Sequence, residues 1–294
     1  MTGAELARRV GSVGGVPATG ARPLAGGDIC DAYRVELADG TAVFAKTLAG
    51  APADFFPAEA AGLGLLRGTG AVAVPRVLAA GEGLLLLEWV EPAAPSAAQA
   101  ERLGRELAAL HATPAPHYGS EGPLYLGPLP LRGPRPPVSA PADWPAFHVA
   151  YRLLPALRQA VDNGGICAAD RRDVETLCAR LPEVAGEPQP PAVIHGDLWS
   201  GNVLWTAGER AHLIDPAAQG GHPETDLALL EAFGCPHVDR LLAAYQELRP
   251  LPGRAGRAPL HLLHHMLVHA ALFGGGYGAR SGALARAALR SGGR

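Results

Sequence analysis

The chain has 294 residues, 48% of them hydrophobic, and a formal net charge of −3 at neutral pH. That length can bury a sizeable core in one large domain or two lobes, and the charge lacks the basic excess of a nucleic-acid binder. Residues 1–10 carry Glu5, Arg8 and Arg9 without an apolar run, so no secretory signal is expected. The uncharged stretch 261–279 holds four histidines and several glycines and makes a poor membrane span. Four scattered cysteines, with no C-x-x-C pair, fit reduced thiols in a cytoplasmic protein.

In chain order, residues 1–20 read as a helix and a Gly-rich lead-in. Residues 22–46 read as strand, turn and strand, with Ala38-Asp39-Gly40 as the hairpin turn before Thr41–Thr47. Residues 52–68 have helical spacing, with Phe56, Ala60, Leu63 and Leu66 on one side. Short strands are expected at 76–80 and 84–89, and a long helix at 97–111. The Pro- and Gly-rich stretch 112–142 reads as an irregular loop. Beyond it, helices are expected at about 143–161, 168–181, 224–249 and 257–273. The apolar pieces Ala192–Ile194, Val203–Trp205 and His212–Ile214 read as strands.

Those three strands frame the most informative residues. In His195-Gly196-Asp197-Leu198-Trp199-Ser200-Gly201-Asn202, an Asp is followed five positions on by an Asn, and Asp215 follows the next apolar run. This is the spacing of a phosphoryl-transfer catalytic loop. Protein kinases use H-R-D-L-x-x-x-N for a base and a metal ligand, and D-F-G for a second ligand. Asp197 is the expected base, with Asn202 and Asp215 as hard oxygen ligands for Mg²⁺. Upstream, Lys46 ends the apolar strand Ala42–Lys46. A buried lysine needs an anionic partner, and Glu59 on the next helix is the candidate. That pair would aim an ammonium at the phosphates of ATP, and Gly26 and Gly27 would let the backbone approach them. Glu88, Trp89 and Val90 lie where a hinge between lobes would offer its backbone to adenine.

Only ten residues separate Asp215 from Asp226, and no Ala-Pro-Glu follows. That leaves no room for an activation loop and favours a small-molecule acceptor. Asp226 is expected either to brace the catalytic loop through its amides or to serve as a helix N-terminal acid, with His195 as further support. His261, His265 and His269 share one helical face and are read as core, with a metal site as the alternative. Cys30, beside the glycine turn, is a candidate redox thiol.

With these residues in view, the chain resembles the fructosamine kinase (ketosamine-3-kinase) family, within the aminoglycoside-phosphotransferase and choline-kinase-like group. The resemblance covers nearly the whole length. It includes Gly26-Gly27-Asp28-Ile29, Glu59-Ala60-Ala61-Gly62-Leu63, the 195–202 block with its Trp199, Ile214-Asp215-Pro216-Ala217, Glu224-Thr225-Asp226-Leu227-Ala228 and Leu272-Phe273-Gly274-Gly275-Gly276-Tyr277.

The resemblance implies an α+β, two-lobed protein-kinase-like fold, with a nucleotide lobe at 1–91 and a catalytic and acceptor lobe at 92–294. It implies ATP- and Mg²⁺-dependent phosphorylation of the sugar 3-hydroxyl of ketosamines, small or on glycated proteins, by a monomer or homodimer. Trp199 would then be a platform for the sugar ring, with Glu224 also on the acceptor side. The loop 121–130 lacks the amide side chains usual in the family, and Pro223 stands where a basic residue is usual. Both departures bear on acceptor choice. An aminoglycoside-type phosphotransferase and a nucleotide-binding protein with little turnover remain alternatives.

Overall fold

A computed structural model describes residues 3–25, 29–81, 83–134 and 143–291. Among these, strands β1 (Ala18–Pro23), β2 (Asp31–Leu37), β3 (Ala42–Thr47), β4 (Val77–Gly81) and β5 (Leu84–Glu88) form one antiparallel sheet in the order β1-β2-β3-β5-β4. Strand alternation sets its two faces. Val43 and Ala45 of β3 pack with Val35 against Leu6 and Val10 of helix α1 (Gly3–Gly14). Phe44 and Lys46, on the other face of β3, line the main cavity. The four leucines of β5 are buried on both faces: Leu84 and Leu86 towards α1, Leu85 and Leu87 towards helix α2 (Phe55–Gly68). Each contributes roughly 1.5–3 kcal/mol through burial, which makes β5 the anchor of the sheet.

The core under α2 runs without a break into the rest of the chain. Phe56, Leu63 and Leu66 pack in the same cluster as Leu103 and Leu107 of α3 (Ala97–Leu110) and Leu241 and Tyr245 of α8 (Val238–Leu248). Ser96 caps α3, its hydroxyl accepting the Gln99 amide at 3.2 Å. Gly104 lets α3 approach α8 closely: a Cβ there would lie 2.1 Å from the Leu241 carbonyl oxygen. A second core joins Leu177 and Leu181 of α6 (Ala168–Val184), Leu263 and Leu267 of α9 (Arg254–Phe273) and Ala285 of α10 (Tyr277–Ser291).

Two short antiparallel pairs hold the loops of interest. β8 (Ala192–Ile194) pairs with β11 (Gln219–Gly221), and β9 (Val203–Leu204) with β10 (His212–Leu213). The 195–202 loop therefore leaves β8 and enters β9, and Asp215 lies between β10 and β11.

Five stretches differ from expectation. The helix expected over 224–249 is two, α7 (Glu224–Ala232) and α8, because Pro236 removes a donor and His237 takes a left-handed φ of 56°. β1 was missed because Ala18-Thr19-Gly20-Ala21 has no apolar alternation on this edge strand. α10 was missed because its buried face is built from Gly278, Ser281, Gly282, Ala285 and Ala288, too small to register as a stripe. Within 112–142, β6 (Tyr125–Leu126) and β7 (Leu129–Pro130) form a tight pair. The helical stretch near 143–161 is α4 (Trp144–His148) and α5 (Leu154–Asp162), joined by a π-helical turn over Val149–Leu153. Among the described residues, no helix is long and apolar enough to cross a membrane.

Candidate active site

A cavity of about 650 Å³ opens between the sheet with α2 on one side and the 195–217 hairpins with α9 on the other. Lys46, near the end of β3, projects into it. Its Nζ lies 2.9 Å from Glu59 Oε2 and 3.1 Å from Asp215 Oδ1. Burial opposes the ammonium, but Asp215 and Glu59 together outweigh it and hold Lys46 charged, well above its usual range. Burial pushes the Glu59 carboxyl up to about 7, against the pull of Lys46.

The floor of the cavity is the 195–202 loop, fixed from behind by Asp226. This fully buried carboxylate accepts the His195 amide at 2.7 Å, the Gly196 amide at 2.9 Å and His111 Nε2–H at 3.1 Å. Burial would raise its pKa, but the bonds from His111 and the loop amide win and hold it low. His195 donates through Nε2–H to the Ile214 carbonyl at 3.0 Å, tying the loop to the strand end before Asp215. Gly196 has φ +83°, and a Cβ there would lie 2.2 Å from the Ala217 carbonyl oxygen, so only glycine fits this turn.

Asp197 and Asn202 emerge on the cavity side. Asn202 Nδ2 donates to the Asp197 carbonyl oxygen at 2.8 Å and to its carboxylate at 3.3 Å. Asp197 keeps 25% of its side-chain surface open. Burial, reinforced by Asp215 and Asp226, pushes its carboxyl up to about 7. Asp215 adopts a left-handed φ of 53°, a conformation that Asp tolerates better than most residues and that here turns its carboxylate towards Lys46.

These residues fit a magnesium ion. Asn202 uses its Nδ2 on Asp197, and among the described residues its Oδ1 accepts no hydrogen bond. Asp215 is 40% exposed to the cavity. One amide oxygen and one carboxylate, with water and phosphate oxygens completing the shell, suit Mg²⁺.

Other expected residues are placed elsewhere. Gly26 and Gly27 lie outside the described residues. Glu88, Trp89 and Val90 do not line the cavity: the Glu88 amide donates to the Arg76 carbonyl at 2.9 Å, and Trp89 Nε1–H to Glu91 at 2.7 Å. The expectation for Glu224 is corrected. It is buried (2% exposed) behind the loop, bonded to Arg257 Nε at 3.0 Å and 3.4 Å from His261 Nε2. Burial would raise its carboxyl, yet His261 and Arg257 pull it down to about 2. It is an interior ion pair, absent from the cavity lining.

The stripe His261, His265 and His269 splits between tasks. His261 faces Glu224, His265 Nε2–H donates to the Gly196 carbonyl at 3.0 Å, and His269 Nδ1–H donates to the His265 carbonyl at 2.7 Å. Among the described residues, no cluster of three or more His, Cys, Asp or Glu could hold a metal. Cys30 lines the cavity, but burial pushes its thiol up to about 11, away from a reactive thiolate.

Trp199 also reaches the cavity, together with Phe233 and Phe273, which the sequence did not mark as site residues, and His265 and His269, which it marked only through the alternative of a metal site. Their only sequence signal is one helical turn between His265 and His269 and another between His269 and Phe273.

Comparison with known proteins fits this geometry. Residues 6–291 match the family model described as Fructosamine kinase. The chain belongs to the fructosamine kinase family. A Thermus thermophilus protein named a probable ketoamine kinase is 37% identical over 261 residues, covering 87% of this chain and 89% of that protein. The crystal structure of a Thermobifida fusca protein assigned as a fructosamine-3-kinase superposes with a TM-score of 0.89 at 44% identity, over 97% of this chain and 98% of that one. The fold is the two-lobed protein-kinase-like one. A choline kinase from Streptococcus pneumoniae shares it at 14% identity, with a TM-score of 0.65 over 98% of each chain. Membership of the family makes the chain a phosphotransferase acting on an alcohol.

Proposed function

We propose that this fructosamine kinase family member transfers the γ-phosphoryl group of ATP to the sugar 3-hydroxyl of a ketosamine, such as a ribulosamine or fructosamine on an amine or a protein lysine. The observation that carries the reading is the convergence of Lys46, Asp197, Asn202 and Asp215 on one cavity floor. Residues 1–91 would carry the nucleotide and residues 92–294 the acceptor.

In this reading Lys46, held by Glu59, bonds the α- and β-phosphates. Asn202 and Asp215 would hold Mg²⁺, which would supply positive charge to offset that of the phosphates. Asp197 accepts a hydrogen bond from the acceptor hydroxyl and orients its oxygen in line with the γ-phosphorus. A new O–P bond forms, the bond to the β-γ bridging oxygen breaks, ADP leaves and the hydroxyl proton passes to Asp197. Its raised pKa suits a group that must take a proton near neutrality. Trp199 would support the sugar ring. Phosphorylation at O3 destabilises the ketosamine, so the outcome is deglycation.

The test is ADP release from Mg-ATP with ribulose-lysine, run beside Asp197→Asn. Turnover in the wild type, lost in the variant, supports the reading. ATP binding without turnover on any ketosamine would overturn it in favour of another hydroxyl acceptor.

A further inference from the structure

The phosphoryl-transfer steps above use the outer half of the cavity only through Trp199, yet its side chains are unusual. Trp199 is 41% and Phe273 55% exposed, two of the few large hydrophobic side chains left open on this surface, and both line the cavity. They belong to a continuous row of rings. Trp199 meets Phe233 edge to face at 6.2 Å between centroids, Phe233 stacks on His269 at 6.4 Å, and His269 meets Phe273 at 5.7 Å and Tyr277 at 5.0 Å. The row starts beside the catalytic loop and runs outward along α9. Its inner end is fixed, because the Trp199 indole is seated on Gly201, where a Cβ would lie 2.1 Å from a ring carbon.

The charges are distributed the opposite way. Among the described residues, the cavity's carboxylates are Glu59, Asp197 and Asp215. Glu59 and Asp215 are engaged with Lys46, and Asp197 faces the reacting hydroxyl. The ring row holds none. His269 donates through Nδ1 to the His265 carbonyl, so in the neutral ring Nε2 is a lone-pair acceptor, without a hydrogen-bond partner among the described residues.

We infer that this row of rings is the subsite for the protonated secondary amine of the acceptor, recognising it through π faces rather than through a carboxylate. The inference rests on the ketosamine reading above and deepens it. In a ketosamine the amine is carried on C1, next but one to the carbon that bears the 3-hydroxyl. With that hydroxyl at Asp197, the amine falls beside Trp199 and Phe233, and the rest of the amine's chain runs along His269 and Phe273. Aromatic faces attract an alkylammonium and gain strength when water is excluded. They also leave the substituent beyond the nitrogen unspecified, which suits acceptors that share only the ketoamine.

The experiment compares two probes that differ in one atom: 1-butylamino-1-deoxyribulose, a cation, and 1-O-butylribulose, its neutral ether. Calorimetric Kd values are measured with Mg-ADP present, for the wild type, Phe233→Leu and Phe273→Leu. Leucine keeps apolar bulk and removes the π face. The wild type is expected to bind the amine more tightly than the ether. Each substitution should weaken the amine by about 5- to 30-fold while leaving the ether within about twofold. Equal losses for both probes, or no preference for the amine, would overturn the inference, since the rings would then be apolar surface only. ADP release with the amine is recorded in parallel. Amine-selective binding without turnover would sink the ketosamine kinase reading and keep the subsite, whereas turnover without amine selectivity would do the reverse. Failure of both probes to bind would overturn both.

Discussion

The two walls of the cavity are built by different rules. On the phosphate wall, Asp197, Asn202 and Asp215 come from nineteen consecutive residues on two short strand pairs, and Lys46, held by Glu59 at 2.9 Å, joins them through an ion pair of 3.1 Å to Asp215. On the acceptor wall, Trp199, Phe233, His269 and Phe273 come from a loop and two helices and touch only through ring faces and edges. Proton and metal chemistry needs atoms fixed to fractions of an ångström, so its residues sit close together on a stiff frame. Ring surfaces act over broader geometry and can be assembled from distant segments.

The sharpest way to break that contrast is to loosen the frame. Asp226→Ala removes the acceptor of three hydrogen bonds in a fully buried site. It should cost about 3–5 kcal/mol of stability by denaturant titration, and activity with it. A loss under about 1 kcal/mol would show that the loop does not depend on this carboxylate. Lys46→Met tests the phosphate wall itself: kcat/KM should fall by about 10²–10³ while the fold persists, measured by steady-state kinetics beside thermal melting.

Behind the phosphate wall lies a layer of buried histidines, some in direct contact with the loop. Burial lowers His148, His195, His222, His261, His264 and His265, the last to about 4. The unfolded chain takes up these protons near pH 6.5 and the folded chain resists, so their stabilisation is complete above that pH and lost as pH falls towards 4. Asp197 and Glu59, both raised to about 7, act in the opposite direction but are fewer. Stability should therefore fall between pH 7 and pH 5, by about 1.4 kcal/mol per pH unit for each net proton. A Tm that is flat or rises over that interval would contradict this account of the layer. The smallest effect sharpens the border of the acceptor wall. Glu224→Gln should lose about 1.5–3 kcal/mol of stability through the weakened Arg257 pair and leave the acceptor KM unchanged. A severalfold rise in KM would return Glu224 to the acceptor side.

What could be read from the chain follows the same division. The family, the fold and the 195–215 block were legible because fixed spacing encodes them, and strands β2, β3 and β5 because branched and apolar residues mark them. Glu224 misled because its neighbourhood in sequence is close to the loop, while its side chain turns inward to Arg257. Phe233 and Phe273 were not read as site residues because an aromatic residue ending an apolar helix reads as core until its exposure is seen. β1 and α10 escaped for the reverse reason, being built from residues too small to mark a buried face.

The central claim is this division of labour between the walls, and steady-state kinetics with one ketosamine tests it most directly. Asp197→Asn should lower kcat by about 10²–10⁴ with little change in acceptor KM. Phe233→Leu should raise acceptor KM by about 5- to 30-fold and keep kcat within about threefold. A fall in kcat for Phe233→Leu as large as that for Asp197→Asn, or a kcat that survives Asp197→Asn, would contradict the account.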